Sequence, residues 1–124
     1  MLKLLLDENI GLDIQQELSS FETHSLKDMG WLGKKNGELM KLISLERFDI
    51  FITTDKNLPF QQNLSNLTYA LWVLDSPSNK VSMLRLFVPL IIQEIESLNG
   101  QKPEKALKYI TVEGFSTGKK KQMI

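Results

Sequence analysis

Three short apolar runs, Lys3–Leu6, 49–53 and 69–74, constrain this chain more than any other feature of it. Each is too short for a helix. None carries the alternating polar positions of a half-exposed strand, so each reads as a strand buried on both faces, as parallel sheets require. The segments between them have helical spacing. Residues 11–20 predict a helix with Leu12, Ile14 and Leu18 as its apolar contacts, and 37–47 a second helix with Asn36 as its N-cap. Residues 81–98 predict a third, kinked or restarted at Pro89, which lacks the backbone donor that a helix interior needs. A weaker strand over 23–26, a glycine-rich loop over 29–33, a short helix or loop before residue 69 and a last strand over 106–112 complete the pattern. Strands alternating with helices give an α/β domain with a mainly parallel sheet.

Two of the strong strands end on acids, Asp7 after the leucine run and Asp55 after Phe51-Ile52-Thr53-Thr54. Ligands of open parallel sheets bind outside the carboxyl ends of the strands, where both acids should stand. Glu38 falls in the first turn of the second helix. A stripe through residues 38, 42 and 45 would carry Glu38 from the core face toward the same rim. Carboxylates gathered in one crevice repel each other and need a cation or raised pKa values. Oxygen ligands, with no cysteine and a single histidine in the chain, favour Mg²⁺ or Mn²⁺ over zinc. Such a centre, completed by water and a substrate phosphate, suits phosphodiester hydrolysis.

The same residues admit a plainer role, since Asp, Asn and Thr at strand-to-helix turns commonly cap helices. Glu8 should face away from Asp7, because neighbours on an extended chain point to opposite sides. His24 reads as structural. Trp31, between Gly30 and Gly33, reads as a loop anchor in preference to a base-stacking platform.

A length of 124 residues suits one domain, and 42% apolar with 24% charged residues is an ordinary globular balance. The absence of cysteine excludes disulfides and fits a reducing compartment. The first leucine run is too short for a signal peptide, and the apolar stretch 86–92 is far below a membrane span. We therefore expect a soluble cytoplasmic protein with no membrane partner. Residues 1–100 carry 9 basic against 13 acidic side chains, and residues 101–124 carry 6 against 2. The ending TGKKKQMI is polar and short of anchors, so we expect a domain over 1–113 and a basic, frayed, solvated tail over 114–124 that could touch phosphates non-specifically.

The motifs LLLDENI, GWLGKKNGELMKL, FDIFITTDKNLPFQQNL and WVLDSPSN, taken in order, resemble a family of small prokaryotic PIN-like proteins. The likeness runs from about residue 3 to residue 95. It implies a three-layer α/β/α sandwich related to PIN nucleases, metal-dependent ribonucleases often paired as toxins with an antitoxin. The resemblance assigns Asp7, Glu38 and Asp55 to the catalytic, Mg²⁺- or Mn²⁺-binding acids. It assigns Asn9, Asn57, Gln61 and Gln62 to polar positions that orient carboxylates or touch the substrate, and Ser78 and Asn79 to a further polar turn. Glu8, Asn36 and Thr54 lie within these motifs and read as supporting groups. Asp75 is the nearest counterpart of a fourth PIN acid, and the helix between the first two acids is shorter than PIN domains usually carry. The implied partners are an RNA substrate, an antitoxin protein or a second copy of the chain.

Two alternatives stand beside this reading. One is a PIN-like module that binds protein or RNA without cutting it. The other is a receiver-like phosphoacceptor domain, with Asp55 as acceptor, Pro59 beyond it and Lys102 as the later lysine. The 20 residues from Asp55 to Asp75 leave little room for the helix that a receiver needs there.

Overall fold

All of the apolar runs are strands. The computed structural model describes residues 2–61 and 64–112. Its strands are β1 (Lys3–Leu6), β2 (Glu22–Ser25), β3 (Ile50–Thr53), β4 (Ala70–Leu74) and β5 (Leu107–Ile110). They form one sheet in the order β2-β1-β3-β4-β5, with every pairing parallel. Its helices are α1 (Leu12–Glu17), α2 (Leu26–Met29), α3 (Asn36–Leu45), α4 (Val81–Leu84) and α5 (Val88–Glu96). Residues 3–6, 50–53 and 70–74 carry apolar side chains, apart from Lys3 and the buried Thr53, because helices cover both faces of these strands.

Strand side chains alternate between the two faces. On one face, Leu4, Leu6, Ile50, Ile52, Trp72 and Leu74 pack with Ile14 and Leu18 and with Leu84, Phe87, Ile91 and Ile95 of the α4–α5 segment. On the other, Leu5, Phe51, Leu71 and Val73 pack with Leu26, Trp31, Leu39, Ile43, Leu58 and Tyr69. The result is a three-layer α/β/α arrangement. The connection from β3 to β4 contains two 3₁₀ turns, Leu58–Gln61 and Leu64–Asn66, and no α-helix among the described residues.

Several expectations are corrected. Leu12 is exposed, because the buried side of α1 is carried by Ile14 alone, with Leu18 just past the helix end. The N-cap of α3 is Lys35, so Asn36 is already its first helical residue; its side chain donates to Gln61 Oε1 instead. The core stripe of α3 runs through Leu39 and Ile43, with Leu42 partly buried, while Leu45 is 76% exposed. Glu38 precedes Leu39 by one residue, about 100° round the helix, and is exposed. The segment 81–98 is interrupted by a 3₁₀ turn, Arg85–Phe87, and α5 restarts at Val88 with Pro89 in its first turn, where no donor is required. Gln62 and the segment 114–124 lie outside the described residues.

Candidate functional site

The order in which strands are added reverses between β1 and β3: β2 lies on one side of β1, while β3, β4 and β5 follow on the other. This is the topological switch point at which open α/β sheets bind ligands. Asp7 follows β1 directly, and its amide still donates to Ile52 O at 2.9 Å, so the acid sits on the last rung of the ladder. Period-two alternation carries the face of Leu5 on to Asp7, and that of Phe51 on to Thr53 and Asp55. Leu5 and Phe51 are register partners, so both acids reach the face covered by α2 and α3.

There they line one crevice of about 130 Å³ with Glu8, Asn9, Trp31, Gly33, Lys34 and Asn36, over a floor of Leu26, Leu39, Phe51 and Leu58. Thr53 ties the two acids together. Its hydroxyl donates to Asp7 Oδ2 and accepts the Asp55 amide at 3.0 Å. Asp7 Oδ1 also accepts the Glu8 amide at 2.8 Å, and Asp55 Oδ1 accepts the Asn57 amide at 2.9 Å. These bonds fix both carboxylates while leaving lone pairs on each, since a carboxylate offers about four acceptor sites.

Glu38 does not line this crevice. Its carboxylate pairs with Lys34 Nζ at 3.5 Å, one turn back along the chain. Among the described residues no group of three or more His, Cys, Asp or Glu is placed to hold a metal ion. The structure thus brings together two of the three expected acids.

The other expected residues divide likewise. Glu8 and Asn9 are exposed on the crevice rim, and Asn36 lines it while bonded to Gln61. Asn57 contributes its backbone amide to Asp55, and Thr54 is half-buried beside it. Ser78 and Asn79 stand elsewhere; Ser78 closes a turn with Ser76, whose hydroxyl donates to Ser78 O at 2.6 Å.

Asp75 continues the Leu71–Val73 face of β4 and is 3% exposed. Its Oδ1 meets Lys56 Nζ at 3.0 Å, and its Oδ2 is buried with no hydrogen-bond partner among the described residues. It lies one strand over from Asp55, joined to the Asp55 segment through Lys56, and does not line the crevice.

Sequence reasoning missed Thr53, Lys34 and Lys56. A threonine closing an otherwise apolar strand, two residues before an acid, was the available signal for the first. Lys34 stands four residues before Glu38, a spacing at which charged pairs form on a helix, and that was its signal; Lys56 carried none, because its role depends on a contact with Asp75 beyond the next strand. Trp31 is 8% exposed and meets Phe48 edge-on at 5.9 Å, which makes it an anchor. His24 likewise stands edge-on to Phe48 and pairs with Glu22 at 3.0 Å.

Lys102, the later lysine of the receiver reading, does not stand at this end of the sheet. Lys102 pairs with Asp49 at 2.9 Å, and Asp49 immediately precedes β3. Lys102 is therefore at the opposite end of the strand from Asp55. No helix among the described residues is long and apolar enough to cross a membrane. Comparison with protein families, curated proteins and solved structures finds no match to the chain.

Proposed function

We propose that this chain is a PIN-like, Mg²⁺- or Mn²⁺-dependent nuclease acting on RNA, with Asp7 and Asp55 as the cation ligands. One observation carries the reading: two fixed carboxylates meet in one crevice at the switch point of a parallel sheet. The donor set fits the ion. Mg²⁺ is commonly held by one or two carboxylates, with water and substrate phosphate filling its shell. When bound, the cation would offset charge on the phosphate and lower the pKa of a water.

The chain's own residues do the positioning. Thr53 and the Asn57 amide hold the two carboxylates in place, and the leucines and Phe51 form the floor beneath them. Asn9 and Asn36 offer amides to a sugar–phosphate backbone at the rim, and Lys34 offers a cation to a neighbouring phosphate. Glu38 balances Lys34 and takes no part in holding the ion in this arrangement.

The direct test incubates purified protein with mixed RNA and DNA substrates, with Mg²⁺, Mn²⁺ or chelator. The expected result is RNA cleavage that needs the cation and is lost in Asp55→Asn. Cleavage that survives the substitution would place the activity elsewhere. The displacement of Glu38 favours a second reading, a PIN-like module that binds RNA or an antitoxin-like protein without cutting. RNA retained intact by wild type, with the cation present, would select it.

A further inference from the structure

At the opposite end of the sheet from the Asp7–Asp55 crevice lies a groove of about 300 Å³. The end of α3 and the segments that enter β3, β4 and β5 form its walls. Ser44 and Arg47 come from the first, and Asp49, Thr68, Lys102 and Lys105 from the others. The Arg47 and Lys105 side chains have no ion-pair or hydrogen-bond partner among the described residues, and neither have the hydroxyls of Ser44 and Thr68. Lys102 is fixed on Asp49 Oδ1 at 2.9 Å, which leaves two of its three N–H groups for a ligand.

The groups that would repel an anion here are already committed. Asp49, the one carboxylate lining the groove among the described residues, receives the Lys3 amide on Oδ2 at 2.8 Å and Lys102 on Oδ1. The negative dipole end of α3 also points this way. Its carbonyls are nonetheless occupied: those of Leu42, Ile43 and Ser44 accept the amides of Glu46, Phe48 and Arg47. The Glu46 carbonyl accepts Lys3 Nζ at 2.7 Å, the Glu46 carboxylate faces the same lysine, and Glu104 lines a neighbouring groove. Three cations and two hydroxyls remain, a donor set suited to phosphate oxygens. Arg47 keeps its place there with φ +58, a left-handed backbone that glycine adopts without strain. The guanidinium is what glycine would not supply.

We propose that this groove is a phosphate-binding site, in which the planar fork of Arg47 takes two oxygens and Lys102 and Lys105 oppose the remaining charge. A free phosphorylated compound and the sugar–phosphate backbone of RNA both offer that chemistry. α3 joins the groove to the crevice: Asn36 lines the crevice and Ser44 the groove, about 12 Å apart along the helix axis. That span lets an RNA strand seated in the crevice place another of its phosphates here. Only the RNA source depends on the nuclease reading; phosphate binding in the groove does not.

The test is titration of the isotope-labelled protein, without metal, against three probes: pyrophosphate, a short RNA lacking terminal phosphates, and chloride at matched ionic strength. The signals followed are the backbone amides of Ser44, Arg47, Thr68 and Lys105 and the side-chain N–H of Arg47. The expected result is saturable shifts there with pyrophosphate or RNA, and only unsaturated drift with chloride. Arg47→Gly should weaken that binding at least about tenfold, the loss that goes with one charge-assisted hydrogen bond. Its unfolding midpoint should not drop, so the loss cannot come from unfolding. Lys105→Gln should weaken binding in the same direction. Tighter binding of pyrophosphate identifies a free phosphorylated ligand and tighter binding of RNA a backbone phosphate, and either supports the site. No saturable shift at these residues, shifts that chloride reproduces, or binding that both variants leave unchanged would overturn it. Asp55→Asn should keep pyrophosphate binding, so cleavage lost in that variant and phosphate binding lost in Arg47→Gly judge the two readings separately.

Discussion

Thr53 is the residue on which the crevice depends, because one hydroxyl satisfies both the Asp7 carboxylate and the Asp55 amide. Thr53→Val keeps the shape and removes both bonds, in a position fully shielded from solvent. It should cost about 1–3 kcal/mol in chemical denaturation, the usual cost of leaving buried polar groups unpaired. Lys56→Met should cost a similar ~1–3 kcal/mol, since it strips the counter-charge from a carboxylate that is 4% exposed. The lysine's own partial exposure keeps that figure below the cost of breaking a wholly buried pair. Asp28 makes a pH prediction. Its folded pKa is depressed below 3.8, chiefly by the Ser25 amide and then by Gln15. The unfolded state therefore binds its proton first as pH falls, so its stabilising contribution is complete above that value and is lost as pH falls through the folded pKa. Asp28→Asn should flatten that part of a stability-against-pH curve measured by denaturant unfolding. At this scale the sequence showed Asp7 and Asp55 clearly, because each terminates an apolar strand. Glu38 misled because a stripe of 38, 42 and 45 is as regular as the true one through 39 and 43. Only the packing of Leu39 and Ile43 against the sheet distinguishes the two.

Among the elements, the strands were legible and the helix limits were not. A strand buried on both faces writes its position directly as an apolar run. A short helix leaves fewer marks: α1 has one buried residue, Ile14, and no side-chain cap bond. The restart at Pro89 could be read because proline admits few positions in a helix. The asymmetry yields contrasting substitutions. Ile91 of α5 is fully buried against the sheet, and Ile91→Ala should cost about 2–5 kcal/mol. Leu45, at the exposed end of α3, should accept lysine within about 0.5 kcal/mol. Arg47 leaves α3 with φ +58, a left-handed conformation that glycine adopts without strain. Arg47→Gly should therefore raise stability by up to about 1 kcal/mol, read from the unfolding midpoint.

For the whole molecule, what matters is the order of the strands. The order β2-β1-β3-β4-β5 makes neighbours of β1 and β3, whose carboxyl ends are 46 residues apart between Asp7 and Thr53. Nothing in the spacing of the acids announces that adjacency. It follows from the chain returning across β1, and it brings Asp7 and Asp55 together while Asp75 stays one strand away with Lys56. The central claim is that this pair of carboxylates holds a divalent cation. The most direct measurement is a titration of isotope-labelled protein with Mn²⁺, which broadens the signals of nuclei near the ion. The account predicts saturable broadening centred on residues 7–9 and 53–57, unchanged in Glu38→Gln and abolished in Asp55→Asn. Broadening centred elsewhere, or undiminished in Asp55→Asn, would contradict it.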